Sequence, residues 1–431
     1  MAHPQPRTPD APGIPARRAA LKVLDAVLRR GSPLEAALAG AGQGLPPADR
    51  ALAHALASAV LRRVPDLDRL IDGATQRPLP DDAKARAVLR IALAGALVLG
   101  TPPHAAIATV LPLVDGGPRK LVHGVFGTLM RQGARLPDPP TLLPAVAERW
   151  LAAWGAGAVD AARHAIAEPP PLDLSLRDPA ETAWWAERLG AESFLPGHLR
   201  LPARTPVGEL PGYAEGAWWV QDVAAGLPAR AVGAGPGRVL DLCAAPGGKT
   251  LQLAAAGRDV VAVDQSESRL ARLCENLARV RLPAEVVCAD VLEWEPDGPA
   301  DAVLVDAPCS ATGIFRRHPD VLHRAHGRFV AQMAELQARI LARAAAWVRP
   351  GGVLVYATCS LEPEEGERQA ERFLAEQGGF SLDPSSASGL PVPAGELGWR
   401  ILPSAFPGGC DGFFVARFRR DGSLVGARAR A

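Results

Sequence analysis

No sign of charge dominates this chain. It has 47 lysines and arginines against 46 aspartates and glutamates in 431 residues, so any basic surface for a polyanion has to be local. None of its six cysteines forms a C-x-x-C pair, and six are too few in this length for a disulfide scaffold, which argues against a zinc site and against a stapled secreted domain. A long apolar run is also missing. The longest, about Val88 to Leu99, is interrupted by Arg90 and is too short to cross a bilayer. The opening Met1 to Pro15 is rich in proline and polar residues and has no apolar centre of the secretory kind. These absences predict a soluble, cytoplasmic monomer with no metal and no membrane partner. Hydrophobic residues make up 48% of the chain, enough for the cores of two or three domains.

Two nucleotide-binding signatures fail as well. Gly248-Lys249-Thr250 would end a P-loop, but the position of its first glycine is Cys243. A G-x-G-x-x-G fingerprint is absent.

What is present falls into sections. Residues 1–15 are expected to be a disordered tail. From Ala16 to about Arg135 the apolar spacing is helical: Leu21, Leu24, Val27 and Leu28, then Leu52, Leu56, Ala59 and Val60, then Val88, Leu89, Ala92, Leu93 and Ala96, then Val122, Val125, Phe126, Leu129 and Met130. Gly and Pro clusters separate these segments. An all-helical domain is therefore predicted over 16–136. Residues 137–225 are expected to hold linker helices (Ala145 to Trp154, Asp160 to Ala167), a strand at Leu172 to Arg177 and a helix at Ala180 to Leu189. Residues 226–420 alternate. Strand-like runs at Arg238 to Leu242, Val260 to Val263, Glu285 to Cys288, Ala302 to Val305 and Val353 to Tyr356 enclose helices at Thr250 to Ala256, Ser266 to Val280 and Val330 to Val348. This predicts an α/β domain with a mostly parallel sheet covered on both faces. Trp399 to Leu402 and Gly412 to Phe418 add an antiparallel hairpin at one edge. Residues 421–431 are a second expected tail.

In such a sheet, ligands bind beyond the carboxyl ends of the strands. After the first strand comes Cys243-Ala244-Ala245-Pro246-Gly247-Gly248-Lys249, a small-residue turn leading into a helix N-terminus. Asp264, Asp290 and Asp306 each end a later strand. An acid after the second strand suits a ribose diol, and one after the third suits an amino group of adenine. Together they point to a nucleoside cofactor. Cys309 and Cys359 follow the strands at 302–305 and 353–356 directly, and each precedes a serine. Two thiols there face one substrate from two sides. The residues alone leave open which thiol attacks; Cys274, Cys288 and Cys410 read as buried small hydrophobes.

Asp241 to Thr250, Asp306-Ala307-Pro308-Cys309-Ser310 and Ala357-Thr358-Cys359-Ser360 resemble the motifs of S-adenosylmethionine-dependent RNA 5-cytosine methyltransferases. The front helices, with Pro102-Pro103-His104-Ala105-Ala106, resemble a NusB-like RNA-binding domain. Gly216 to Asp222 and Gly313 to Asp320 extend the likeness, and Leu174 to Asp178 departs from it where the family often carries an Arg-Val-Asn stretch. The resemblance implies a Rossmann-like methyltransferase domain, S-adenosylmethionine held by Cys243 to Lys249 with Asp264, Asp290 and Asp306, and a cytosine of small-subunit (16S) ribosomal RNA as substrate. It implies Cys359 as nucleophile and Cys309 as the group that helps release product, whereas the Pro-Cys thiol of DNA 5-cytosine methyltransferases would correspond to Cys309.

That chemistry needs a thiolate, because carbon-5 of cytosine accepts a methyl group only after a nucleophile adds at carbon-6. Thr358 and Ser360 are expected to hydrogen-bond the sulfur, and Asp306 to serve ring nitrogen-3. Arg316, Arg317 and His318 are candidate phosphate contacts, as are Arg17, Arg18, Lys22, Arg29, Arg30, Arg119, Lys120, Arg131 and Arg135 in the helical domain. Trp218 and Trp219 either stack on bases or pack inside. An amino-group methyltransferase would want an Asn/Asp-Pro-Pro-aromatic turn, and the chain has Asp306-Ala307-Pro308-Cys309 there. The rival function is a non-catalytic RNA-binding assembly factor on a methyltransferase scaffold.

Overall fold

A computed structural model describes residues 11–384 and 392–422; the expected tails at 1–10 and 423–431 lie outside the described residues. A helix begins at Ile14, inside the stretch 1–15 expected to be a disordered tail. The chain divides into two compact units. One holds the residues up to Ala152 with Ile166–Glu168 and His318–Arg324; the other holds Ala153–Ala165, Pro169–Arg317 and Ala325 onward.

The first unit is built on the helices Ile14–Arg30, Leu34–Ala41, Pro47–Gly73, Lys84–Leu97, Pro103–Val110 and Gly116–Arg131. Three of them carry proline at the first or second position, where its missing N–H and fixed φ are no handicap. The helix at 34–41 is capped from far away, its Leu34 N–H donating to Asp320 at 3.1 Å. The helix at 47–73 bends at Arg63, two residues before Pro65. The apolar run that the sequence shows around Arg90 is the central helix, buried on nearly every side. Its two arginines are buried with it, Arg86 against Asp72 and Arg90 bidentate on Asp68 at 2.8 and 2.6 Å. Arg17, read as part of a basic surface, is buried and donates to the Gly13 carbonyl; Arg29 and Arg30 are exposed and paired with Asp25.

The second unit starts at Ala153. The helices expected at 145–154 and 160–167 are one element, Pro144–Ala167, broken at Gly155 (φ 78°). A three-stranded antiparallel sheet follows, of β1 (Leu172–Leu176), β2 (His198–Leu201) and β3 (Trp218–Val220), in the order β2-β1-β3. Trp218 and Trp219 are buried in packing, not presented for stacking.

The main sheet has eight strands: β4 (Arg238–Leu242), β5 (Asp259–Asp264), β6 (Glu285–Cys288), β7 (Ala300–Asp306), β8 (Val348–Thr358), β9 (Phe380–Leu382), β10 (Trp399–Ile401) and β11 (Phe413–Arg420). Its order is β10-β11-β8-β7-β4-β5-β6, with β9 also on β11. The strands β6-β5-β4-β7-β8 are parallel, and β11 runs against β8. Alternate residues feed two cores, Ala302 and Leu304 on one face, Val303 and Val305 on the other. Strand order reverses at β4, whose neighbours are β5 and β7. The crevice at such a switch point is where ligands bind.

Candidate active site

The residues singled out by sequence divide about the switch point. The Gly-rich turn, Asp264 and Asp290 follow β4, β5 and β6; Asp306, Cys309 and Cys359 follow β7 and β8.

On the first side the backbone does most of the shaping. Cys243 adopts φ 59° and Gly247 φ 104°. A Cβ on Gly247 would lie 2.7 Å from Leu273 Cγ, so only glycine fits this turn. The helix Gly248–Ala255 then begins. Asp264 is buried, and its carboxylate folds back on the turn, accepting from the N–H groups of Ala245 (3.1 Å) and Ser266 (2.9 Å). Arg269 donates to the carbonyl of the same Ala245. Asp290 is exposed. Beneath the turn, Asp241 is fully buried. One of its oxygens accepts from Thr250 Oγ1 at 2.6 Å and the other has no hydrogen-bond partner; burial pushes its carboxyl up to about 7. Burial likewise pushes the Cys243 thiol up to about 12.

Lys249 belongs to the turn in sequence but not in direction. Its ammonium reaches β7 and donates to Asp306 at 2.7 Å, above the Phe413 ring. Burial works against its charge, and Asp306 outweighs that, so its pKa is raised.

On the second side, the sulfurs of Cys309 and Cys359 stand 3.5 Å apart. The hydrogen bond between them, burial and the charge of Glu365 push the Cys309 thiol well above the ordinary thiol range. The turn after β8 is held at successive carbonyls. Cys359 O accepts from Gly313 N (2.9 Å), Ser360 O from Arg400, and Leu361 O from Trp154 Nε1 (2.9 Å). Gly313 has to be glycine, since a Cβ would lie 2.0 Å from Gly412 O.

Several expectations are corrected here. Thr358 and Ser360 do not bond the sulfur. Thr358 Oγ1 donates to the carbonyl of Glu365 (3.2 Å) and Ser360 Oγ to its carboxylate (2.5 Å). Arg316 is 2% exposed and paired with Asp222 at 2.9 Å, so its guanidinium is closed to a phosphate; Arg317 is paired with Asp411 but its side chain is 35% exposed. Cys274 and Cys288 are exposed, while Cys410 is buried as expected. Glu365 itself went unread, because Glu362-Pro363-Glu364-Glu365 looks like a solvated acidic run; in the structure Glu362 and Glu365 are buried.

Among the described residues no helix is long and apolar enough to cross a membrane. Residues 235–419 match the family of 16S rRNA methyltransferase RsmB/F, and residues 14–127 match the NusB family. The chain is 37% identical to ribosomal RNA small subunit methyltransferase B of Xanthomonas campestris pv. campestris, over 94% of this chain and 97% of that one. The protein of that name from Xylella fastidiosa is 36% identical, over 96% and 99%. The crystal structure of PH0851 shares the fold, with a TM-score of 0.72 at 22% identity over 96% of this chain and all of that one. The chain belongs to the ribosomal RNA small subunit methyltransferase B family, S-adenosylmethionine-dependent rRNA methyltransferases with a NusB domain ahead of a Rossmann-like catalytic domain.

Proposed function

We propose that this protein methylates carbon-5 of a cytosine in 16S ribosomal RNA through a covalent bond from Cys359 to carbon-6. The observation that carries the proposal is the pair of sulfurs 3.5 Å apart at the carboxyl ends of adjacent parallel strands. The residues around the Gly-rich turn fit the cofactor. A strained small-residue turn and a helix N-terminus admit its backbone-facing groups, Asp264 and Asp290 stand at the next strand ends, and the unpartnered oxygen of Asp241 lies beneath. When bound there, S-adenosylmethionine supplies an electrophilic methyl group on a sulfonium.

Cys359 adds as thiolate to carbon-6, and the electron pair of the 5,6 double bond moves to carbon-5. The Lys249–Asp306 pair supplies the hydrogen bond for ring nitrogen-3, where charge gathers as the sulfur adds. Carbon-5 takes the methyl group and passes its proton to a solvent base, and the carbon-6–sulfur bond breaks. Cys309, held as a thiol, donates its hydrogen bond to the departing Cys359 sulfur. Because the target's carbon-5 and carbon-6 are shielded in a stacked helix, the base enters unstacked. The helical domain over 16–136 and the region 137–225 supply RNA contacts, with Arg119, Lys120 and Arg131 exposed on a helix and Arg135 exposed in the loop that follows it.

Transfer of tritium from labelled S-adenosylmethionine to small-subunit RNA tests the activity. Cys359→Ala should abolish transfer. Cys309→Ala should trap RNA on Cys359 as a slow gel band. A band that survives only in Cys359→Ala would reverse the two roles, and absence of transfer to any RNA would leave the assembly-factor reading.

A further inference from the structure

Glu365 is completely buried and lies in no motif that carries the cysteines. One oxygen of its carboxylate accepts from the N–H of Ser310 (2.8 Å) and from Gln337 Nε2 (3.0 Å). The other accepts from the hydroxyls of Ser310 and Ser360. Its backbone carbonyl accepts from Thr358 Oγ1 (3.2 Å) and from the hydroxyl of Tyr356 (2.7 Å). Gln337 in turn donates to the carbonyl of Pro308 (2.9 Å), and its Oε1 lies 3.1 Å from the Tyr356 oxygen. The residues immediately before and after each cysteine are therefore all tied to this one residue: Thr358 and Ser360 about Cys359, Ser310 directly about Cys309, and Pro308 through Gln337. The hydroxyl oxygens of Ser310 and Ser360 lie 3.2 Å apart, and with both hydrogens given to Glu365 it is this carboxylate that joins the two turns across β7 and β8.

We propose that Glu365 is the positioning residue for both thiols, one buried carboxylate that fixes the turn carrying the nucleophile and the turn carrying the releasing group in a single network. The proposal rests on the roles given to Cys359 and Cys309 above. Burying a carboxylate is expensive unless its oxygens are fully hydrogen-bonded. Here both oxygens are filled by groups from the two cysteine turns and from Gln337, so loss of the charge releases both turns together. A displacement of the order of 1 Å at a reacting group costs about a hundredfold in rate, which is the scale expected.

The test uses the full-length protein with small-subunit RNA and separates attack from release. In Glu365→Gln, formation of the covalent band in a single turnover should slow by about a hundredfold at saturating cofactor, with cofactor affinity by calorimetry unchanged. The bands that do form should then persist in steady state, which they do not in the parent. Ser360→Ala should slow band formation alone, and Ser310→Ala should slow only its disappearance. These two milder variants keep the test alive where Glu365→Gln fails to fold. A folded Glu365→Gln that forms and loses the band at parental rates overturns the proposal, as do serine variants that shift only melting temperature. If Cys309→Ala traps no RNA while Glu365 is intact, the cysteine roles fail, and that failure is distinct from a failure of the carboxylate.

Discussion

The two sides of the switch point are built differently. After β4 the turn is shaped by backbone: residues at positive φ, a glycine with no room for a Cβ, a helix start. After β7 and β8 the turns are held mainly by buried and half-buried side chains contributed from residues 154 to 400, with Gly313 fitted against the Gly412 carbonyl. A backbone-built site is encoded in one short stretch and tolerates change elsewhere. A side-chain-built site is encoded across the unit and fails when any distant partner is lost.

The largest expected effect is on the side-chain-built half. Arg316 is buried between Asp222 (2.9 Å) and Asp411 (3.6 Å), and Asp222 also accepts the N–H of Asp411 at 3.1 Å. Arg316→Met removes the nearer guanidinium from both acids, leaving Asp222 with Arg317 at 3.8 Å and the N–H groups of Ala224 and Asp411, and should lower stability by about 3 kcal/mol in urea unfolding. If Arg316→Met unfolds like the parent, the network is ornamental and the contrast weakens.

Acid should act next. Burial would raise the Asp173 carboxyl, but hydrogen bonds and charge from Arg200 (2.6 and 2.7 Å), with His198 alongside, hold it at about 2. Its folded pKa lies below its ordinary value of 3.8, so its contribution is complete above that pH and disappears as pH falls through about 2. A loss of about 2 kcal/mol between pH 4 and 2 is expected from urea midpoints, and it should vanish in Asp173→Asn.

The smallest effect belongs to the backbone-built half. Gly247→Ala forces a side chain into φ 104° and against Leu273. Local strain of about 1–2 kcal/mol should weaken S-adenosylmethionine binding roughly tenfold by calorimetry. Band formation at saturating cofactor should stay at the parental rate. A slowed band would show that the two halves are mechanically coupled.

The contrast also explains what was legible beforehand. The strands at 238–242, 285–288 and those before both cysteines, the helix after the Gly-rich turn and the antiparallel edge were all readable, because apolar runs, small-residue turns and periodicity are local. The 3.5 Å approach of Cys309 and Cys359 was legible as a shared strand end. The burial of Arg316, the inward turn of Thr358 and Ser360 and the crossing of Lys249 to Asp306 were not. Each depends on a partner 5 to 94 residues away, and an arginine or lysine beside a glycine-rich turn looks the same whether it meets solvent or a buried carboxylate. Cys274 and Cys288 are exposed for local reasons: Cys274 lies off the helix face that buries Leu270, Leu273 and Leu277, and Cys288 ends the edge strand β6, none of whose residues is buried.

The seven residues His318–Arg324 belong to the first unit although the chain on both sides of them belongs to the second. Asp320 there caps the helix at Leu34, and the His323 ring meets the Leu61 carbonyl at 2.9 Å. No single cut in the chain therefore yields two intact pieces. A fragment starting after the helical front would carry a loop stripped of its partners, one residue downstream of Arg317. In the gene the first unit is written in three separate stretches, interleaved with the second.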